Sequence, residues 1–257
     1  MLRAHSPLWH YLWVAPNLFL LILAFLIWRR QLHKQLPVFL IFAVVIALEQ
    51  LSVYAADVIP SVSDDTFWRV LWAGLLVEAL IKFALIGEIF GFVFGQYVSL
   101  ARLGTLLIRG VGVVLVLLAT LAAAYTRKDS VYGIISGAHV LEQAIYIIEC
   151  GLILFLFLFA AYFKLSWSRS FFGITLGLGI SACVHLATWA LAANANFSAH
   201  SRVLLDFTNM ATYHVCVLIW FYYLLVPSKN VSKPGGPLPA EHSLEVWNQE
   251  LKRLLHQ

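Results

Sequence analysis

Seven apolar blocks of about 20 residues or more divide this chain, at roughly 8–28, 37–58, 68–96, 104–125, 131–163, 171–193 and 203–226. This repetition constrains the fold more than any motif does. Backbone N–H and C=O groups find no water inside a bilayer, so segments of this length cross it as α-helices that satisfy their own hydrogen bonds. The connections WRRQLHKQLP, DVIPSVSDD, SLARLG, TRKDS, KLSWSRS and NANFSAHS are short and carry charges or helix breakers, which makes successive helices antiparallel neighbours. The expected fold is all-α, a polytopic seven-transmembrane-helix bundle over 1–226. A Pro/Gly linker over 227–240 and a short cytoplasmic amphipathic helix over 241–257 follow it. Charged residues make up 12% of the chain, against about 25% in an ordinary soluble domain, and this leaves no room for a soluble catalytic domain.

The net charge of +4 would suggest nucleic acid in a soluble protein, but here Lys and Arg stand at block ends and report topology. Arg29, Arg30, Lys34, Arg102, Arg109, Lys164, Arg169, Lys229, Lys233, Lys252 and Arg253 fall on one side of the seven-helix arrangement. Arg3, Arg69, Arg127, Lys128 and Arg202 fall on the other. The positive-inside rule places the N-terminus outside and the C-terminus in the cytoplasm, as expected for a bacterial inner-membrane protein. The first block lacks a small-residue cleavage site and runs into Arg29-Arg30, so it reads as a retained span. Trp9, Trp13, Trp28, Trp68, Trp72, Trp167, Trp189 and Trp220 lie mostly toward block ends, where indole rings anchor in the headgroup zone. Cys150, Cys183 and Cys216 sit in separate blocks, with no C-x-x-C pair, and read as packed core residues.

Ionisable residues inside the blocks carry the functional information. Each costs about 2.5 to 3.5 kcal/mol near the bilayer centre, against a gain of about 0.3 to 0.6 for a large aliphatic residue. The third block contains Glu78, Lys82 and Glu88. Glu78 and Lys82 are four apart, share a helix face and can neutralise one another, while Glu88 lies nearer the cytoplasmic end, where it can snorkel. In the fifth block His139, Glu142, Tyr146 and Glu149 follow spacings of three, four and three, a polar seam on one stripe. Glu49, His185, Asp206 and His214 complete the set. The tripeptide Leu48-Glu49-Gln50 recurs as Leu141-Glu142-Gln143, too short a match for an internal duplication.

Two readings compete for these residues. Glu49, Glu78, Lys82, His139, Glu142, Tyr146, Glu149, His185 and His214 can line an outward-open ligand pocket, or they can form an interhelical network that specifies packing. Their number favours the pocket. His139, Glu142, His185 and His214 could also supply ligands to Zn or Fe, or two histidines could hold haem, although no H-E-x-x-H spacing supports it. The last block contains no lysine for a Schiff base, which argues against retinal.

The tail VPSKNVSKPGGPLPAEHSLEVWNQELKRLLHQ passes from a Pro/Gly linker to Leu244, Trp247, Leu251 and Leu254 at spacings of three, four and three. That stripe suits docking to the bilayer, to a cytoplasmic protein partner or to a second copy. The seven-block body, the Pro-rich linker and the closing W-N-x-E-L-x-R-L-L segment, here Trp247 to Leu255, resemble a group of uncharacterised bacterial seven-helix membrane proteins. In architecture alone the chain also resembles the seven-helix sensor regions joined to bacterial histidine kinases. Neither likeness implies catalytic residues. The expected function is a receptor or sensor with an intramembrane polar pocket for a small ligand or ion, coupled to a partner through the C-terminal helix. A metal- or haem-dependent membrane enzyme and a small-solute or proton-coupled transporter are the alternatives.

Overall fold

The computed structural model describes residues 5–94, 131–162, 165, 167–192 and 199–226, and the isolated positions 106, 110, 113, 114, 117, 249 and 253; side chains of 131–141 and 199–200 are not included. These residues form six long helices: α1 Pro7–Arg29, α2 Pro37–Val58, α3 Asp64–Phe94, α4 Val131–Tyr162, α5 Arg169–Ala192 and α6 Ala199–Leu225. Among the described residues there is no strand. All six helices are long and apolar enough to cross a membrane, which indicates an integral membrane protein. Their bounds follow the apolar blocks within a few residues, the largest differences being at the starts of α3 and α6, which begin four residues earlier, at Asp64 and Ala199.

Local chemistry sets the ends. Ser6 caps α1, its hydroxyl accepting from the Trp9 N–H at 3.3 Å, and Pro7 opens the first turn. Pro37 opens α2, and the Ser63 and Ser168 hydroxyls accept the first-turn N–H groups of Thr66 in α3 and Phe171 in α5. One carboxylate oxygen of Glu88 accepts from the Val38 N–H at 3.3 Å, so it serves the N-terminus of α2, where unsatisfied donors and the helix dipole favour a carboxylate. At the C-terminal end of α6, the Arg30 guanidinium donates to the Leu225 carbonyl at 2.9 Å and ties the end of α6 to the end of α1.

The helices close into a ring. Each packs on its successor, and α6 returns to α1. α3 packs directly on α4, although the fourth apolar block lies between them in sequence. Of that block, Leu106, Gly110, Val113, Val114 and Leu117 are described; each is helical and exposed. The linker and the residues Leu244, Trp247, Leu251 and Leu254 lie outside the described residues.

Toward the C-terminal ends of α1 and α6 the ring is filled. Leu20, Leu23, Ile27, Phe39, Ile86, Ile89, Leu156 and Ile174 are all buried there. Gly173 and Gly177 on α5 are four apart and receive the rings of Tyr223 and Trp220 from α6, with no space for a Cβ at either position. Small residues at such spacing let membrane helices approach closely, which is the main source of stability where lipid removes the hydrophobic drive.

Candidate functional site

Toward the N-terminal end of α1 the ring is not filled. A cavity of about 570 Å³ runs from a mouth at His5, Asp57, Phe67 and Asp206 down to a floor at Phe42, Lys82, Leu178 and Trp220. All six helices line it, and each contributes apolar or aromatic wall as well as polar groups. At the mouth, Trp9, His10, Trp13 and Tyr54 pack as an aromatic cluster that joins α1 to α2, and His10 Nδ1 lies 2.9 Å from the Tyr54 hydroxyl.

Lys82 organises the floor. Its Nζ is 2.8 Å from a carboxylate oxygen of Glu78 and 3.2 Å from one of Glu149, and it lies 4.7 Å above the Tyr146 ring. The expected Glu78–Lys82 pair is therefore part of a larger cluster that joins α3 to α4. Lys82 is 5% exposed and Glu149 wholly buried, so each charge depends on its neighbour for stability. His185 of α5 stacks on the Tyr146 ring, with ring centres 4.5 Å apart and planes inclined by 21°. His185 Nδ1 lies 3.0 Å from the Ser181 carbonyl, which can only accept, so Nδ1 carries the hydrogen and donates. Thus α3, α4 and α5 meet through one stack: ion cluster, phenol, imidazole.

The opposite wall is held by neutral polar residues. Tyr213 on α6 donates its hydroxyl hydrogen to Asn17 Oδ1 at 3.1 Å, and Asn17 Nδ2 donates to the Trp13 carbonyl at 2.7 Å, beside Pro16. The Thr188 hydroxyl stands 2.9 Å from both the His185 carbonyl and Asn209 Oδ1, which joins α5 to α6. Glu49 of α2 lies across Gly74 of α3, which has no side chain to obstruct it. One Glu49 oxygen is buried without a hydrogen-bond partner among the described residues, an arrangement that is costly unless something else supplies a donor.

Of the residues expected from the sequence, Glu49, Glu78, Lys82, Glu142, Tyr146 and His185 line this one cavity. Glu149 stands behind Lys82 as its buried partner. His214 is not in the lining; it packs near Tyr11 and Phe19 of α1, with ring centres 5.8 and 5.6 Å away. The His139 side chain lies outside the described residues, so the four-residue metal set is only partly visible. Among the described residues, no group of three His, Cys, Asp or Glu side chains could hold a metal ion.

Three tryptophans differ from the expectation of headgroup anchoring. Trp9, Trp13 and Trp220 face the cavity, and Trp220 is buried with its indole N–H donated to the Ile174 carbonyl at 3.3 Å. Trp28 is 59% exposed, as an anchor requires. The cysteines also differ from the expectation of isolated core residues. Cys150 on α4 and Cys183 on α5 bring their sulfurs to 3.8 Å, with Cys183 on the outer surface of the ring. Asn17, Thr188, Asn209 and Tyr213 were absent from the sequence-derived site. Their signal was available: each is a hydrogen-bonding side chain inside an apolar block, where polar groups seek partners on other helices.

No family model matches this sequence, and neither a curated protein nor a solved structure shows significant similarity to it.

Proposed function

We propose that this chain is a receptor- or sensor-like membrane protein whose cavity binds a small ligand within the bilayer. The observation that supports this most is the unpartnered Glu49 oxygen beside a cavity of about 570 Å³, a volume within the range of small-molecule sites. Several of the polar groups join helices, as a packing network does, but the Glu49 carboxylate faces an opening instead. The charge asymmetry of the connections supports a seven-span arrangement with the N-terminus outside and the C-terminus in the cytoplasm of a bacterial inner membrane. In that orientation the mouth faces outward. The Arg30–Leu225 contact stands just before the linker, where a shift of α6 relative to α1 reaches the tail, and Leu244, Trp247, Leu251 and Leu254 form the surface for a cytoplasmic partner or a second copy.

The test is a thermal-shift and native-mass screen of the purified chain against a broad panel of small molecules and ions. At least one compound should raise the melting temperature saturably, and Glu78→Gln or Glu142→Gln should weaken that shift. A panel without effect, together with neutral behaviour of both variants, removes the pocket reading. The orientation has a separate test. A reporter fused after Gln257 should read cytoplasm and one inserted at Ser63 should read outside, and the reverse pattern overturns it.

A further inference from the structure

We infer that the ligand of this cavity is a small organic cation, an amine carried on an apolar or aromatic body. The inference rests on the pocket reading and names the class of molecule that the pocket takes. Among the described residues, five carboxylates line the cavity, Glu49, Asp57, Glu78, Glu142 and Asp206, against one ammonium, Lys82, and no guanidinium. Lys82 has no charge to offer an anion. It is already held between Glu78 and Glu149, and an anionic ligand would have to displace one of them and leave it buried without a counter-charge. Glu49 is in the opposite situation, with a buried oxygen that accepts nothing from the described residues. An N–H donor with positive charge completes it, and the same donor offsets the excess of carboxylates around it.

The walls select an organic cation over a metal ion. Trp9, Trp13, Phe42, Tyr213 and Trp220 surround the acidic groups, and the described residues contain no set of three His, Cys, Asp or Glu able to hold a metal. Aromatic faces attract ammonium groups and cover apolar bodies, whereas a hard metal ion gains nothing from them. A proton alone is served by any one of the carboxylates and needs no cavity of this volume. Among the described residues at the mouth, Asp57, with His5 Nδ1 3.9 Å away, and Asp206 are carboxylates that favour the entry of a cation.

The experiment uses the full chain in detergent or nanodiscs and matched probe sets of roughly 10 to 20 heavy atoms, the size class such a cavity holds. Each set contains a primary or quaternary amine, its neutral alcohol and its carboxylate, for example 3-phenylpropylammonium, 3-phenylpropanol and 3-phenylpropanoate. The amines should bind about tenfold or more tightly than their alcohols, equivalent to about 1.4 kcal/mol, and the carboxylates should not bind. Glu49→Gln should reduce amine affinity by about tenfold. The ranking within each set is read on the unsubstituted chain, so it stands even if that variant does not fold. Alcohols or carboxylates that bind as well as the amines overturn the cation inference and leave the pocket in place. A complete set without binding also overturns it, and the pocket then depends on the broad panel. Amine binding that Glu49→Gln leaves unchanged overturns the assignment to this cavity.

Discussion

Toward the start of α1 the six helices meet through polar side chains around an opening; toward the end of α6 they meet through aliphatic and aromatic ones with the space filled. At the filled end the ring of Tyr223 occupies the surface of Gly173. At the open end the carboxylate of Glu49 occupies the surface of Gly74. The same device, a glycine that lets a neighbouring helix reach the backbone, fixes helices together in one half and exposes an acid to a cavity in the other. Lipid gives both halves the same poor solvent, so a cavity with a buried, unsatisfied carboxylate oxygen persists only where the filled half supplies the packing energy. The difference separates a part that holds the ring from a part that is free to respond.

Lys82 sits at the boundary of the two halves, and removing it has the largest expected effect. Lys82→Met leaves Glu78 and the fully buried Glu149 facing one another without their cation, a loss of roughly 3 to 5 kcal/mol. Because the cluster contains two acids, Lys82→Met with Glu78→Gln recovers only part of the loss. Adding Glu149→Gln recovers most of it. Thermal unfolding of the single, double and triple variants in one detergent gives the order. If all three melt alike, the cluster does not hold α3 to α4, and the boundary between the halves loses its physical basis.

The sequence exposes some of this and hides the rest for geometric reasons. Apolar blocks give helix bounds because length and hydropathy are properties of each segment alone. Spacing along one helix is similarly local, so Glu78 with Lys82, and Glu142 with Tyr146 and Glu149, are visible as stripes. What spacing leaves open is the rotation of one helix against the next. That rotation sets Glu149 on Lys82, His185 on Tyr146 and Cys150 beside Cys183, and it directs His214 away from the cavity. Glu88 shows the same limit, since nothing in its own helix indicates that the start of α2 lies alongside. Trp9, Trp13 and Trp220 fail for a different reason. Indole is amphipathic, and the property that suits it to a headgroup zone also suits it to a cavity wall.

The two glycines provide the direct contrast, with smaller effects. In either helix, Gly→Ala gains up to about 1 kcal/mol of helix propensity, so the sign of the net change depends on what the new methyl meets. At Gly173 it meets Cβ and Cγ of Tyr223, atoms at the root of a side chain that cannot turn aside without moving α6. Gly173→Ala should therefore separate α5 from α6 at a cost of about 1 to 3 kcal/mol and lower the melting temperature. At Gly74 the methyl meets the carboxylate end of Glu49, a flexible side chain with the cavity next to it. Gly74→Ala should stay within about 1 kcal/mol of the parent in stability, the propensity gain offsetting the displacement. It should nevertheless weaken amine binding by about tenfold, because the displaced carboxylate is the group that receives the cation. Melting curves and amine titrations on both variants resolve the two effects. A Gly74→Ala chain that melts normally and binds as the parent does would mean that Glu49 keeps its position by some other contact, and the open half would then be as rigid as the filled one.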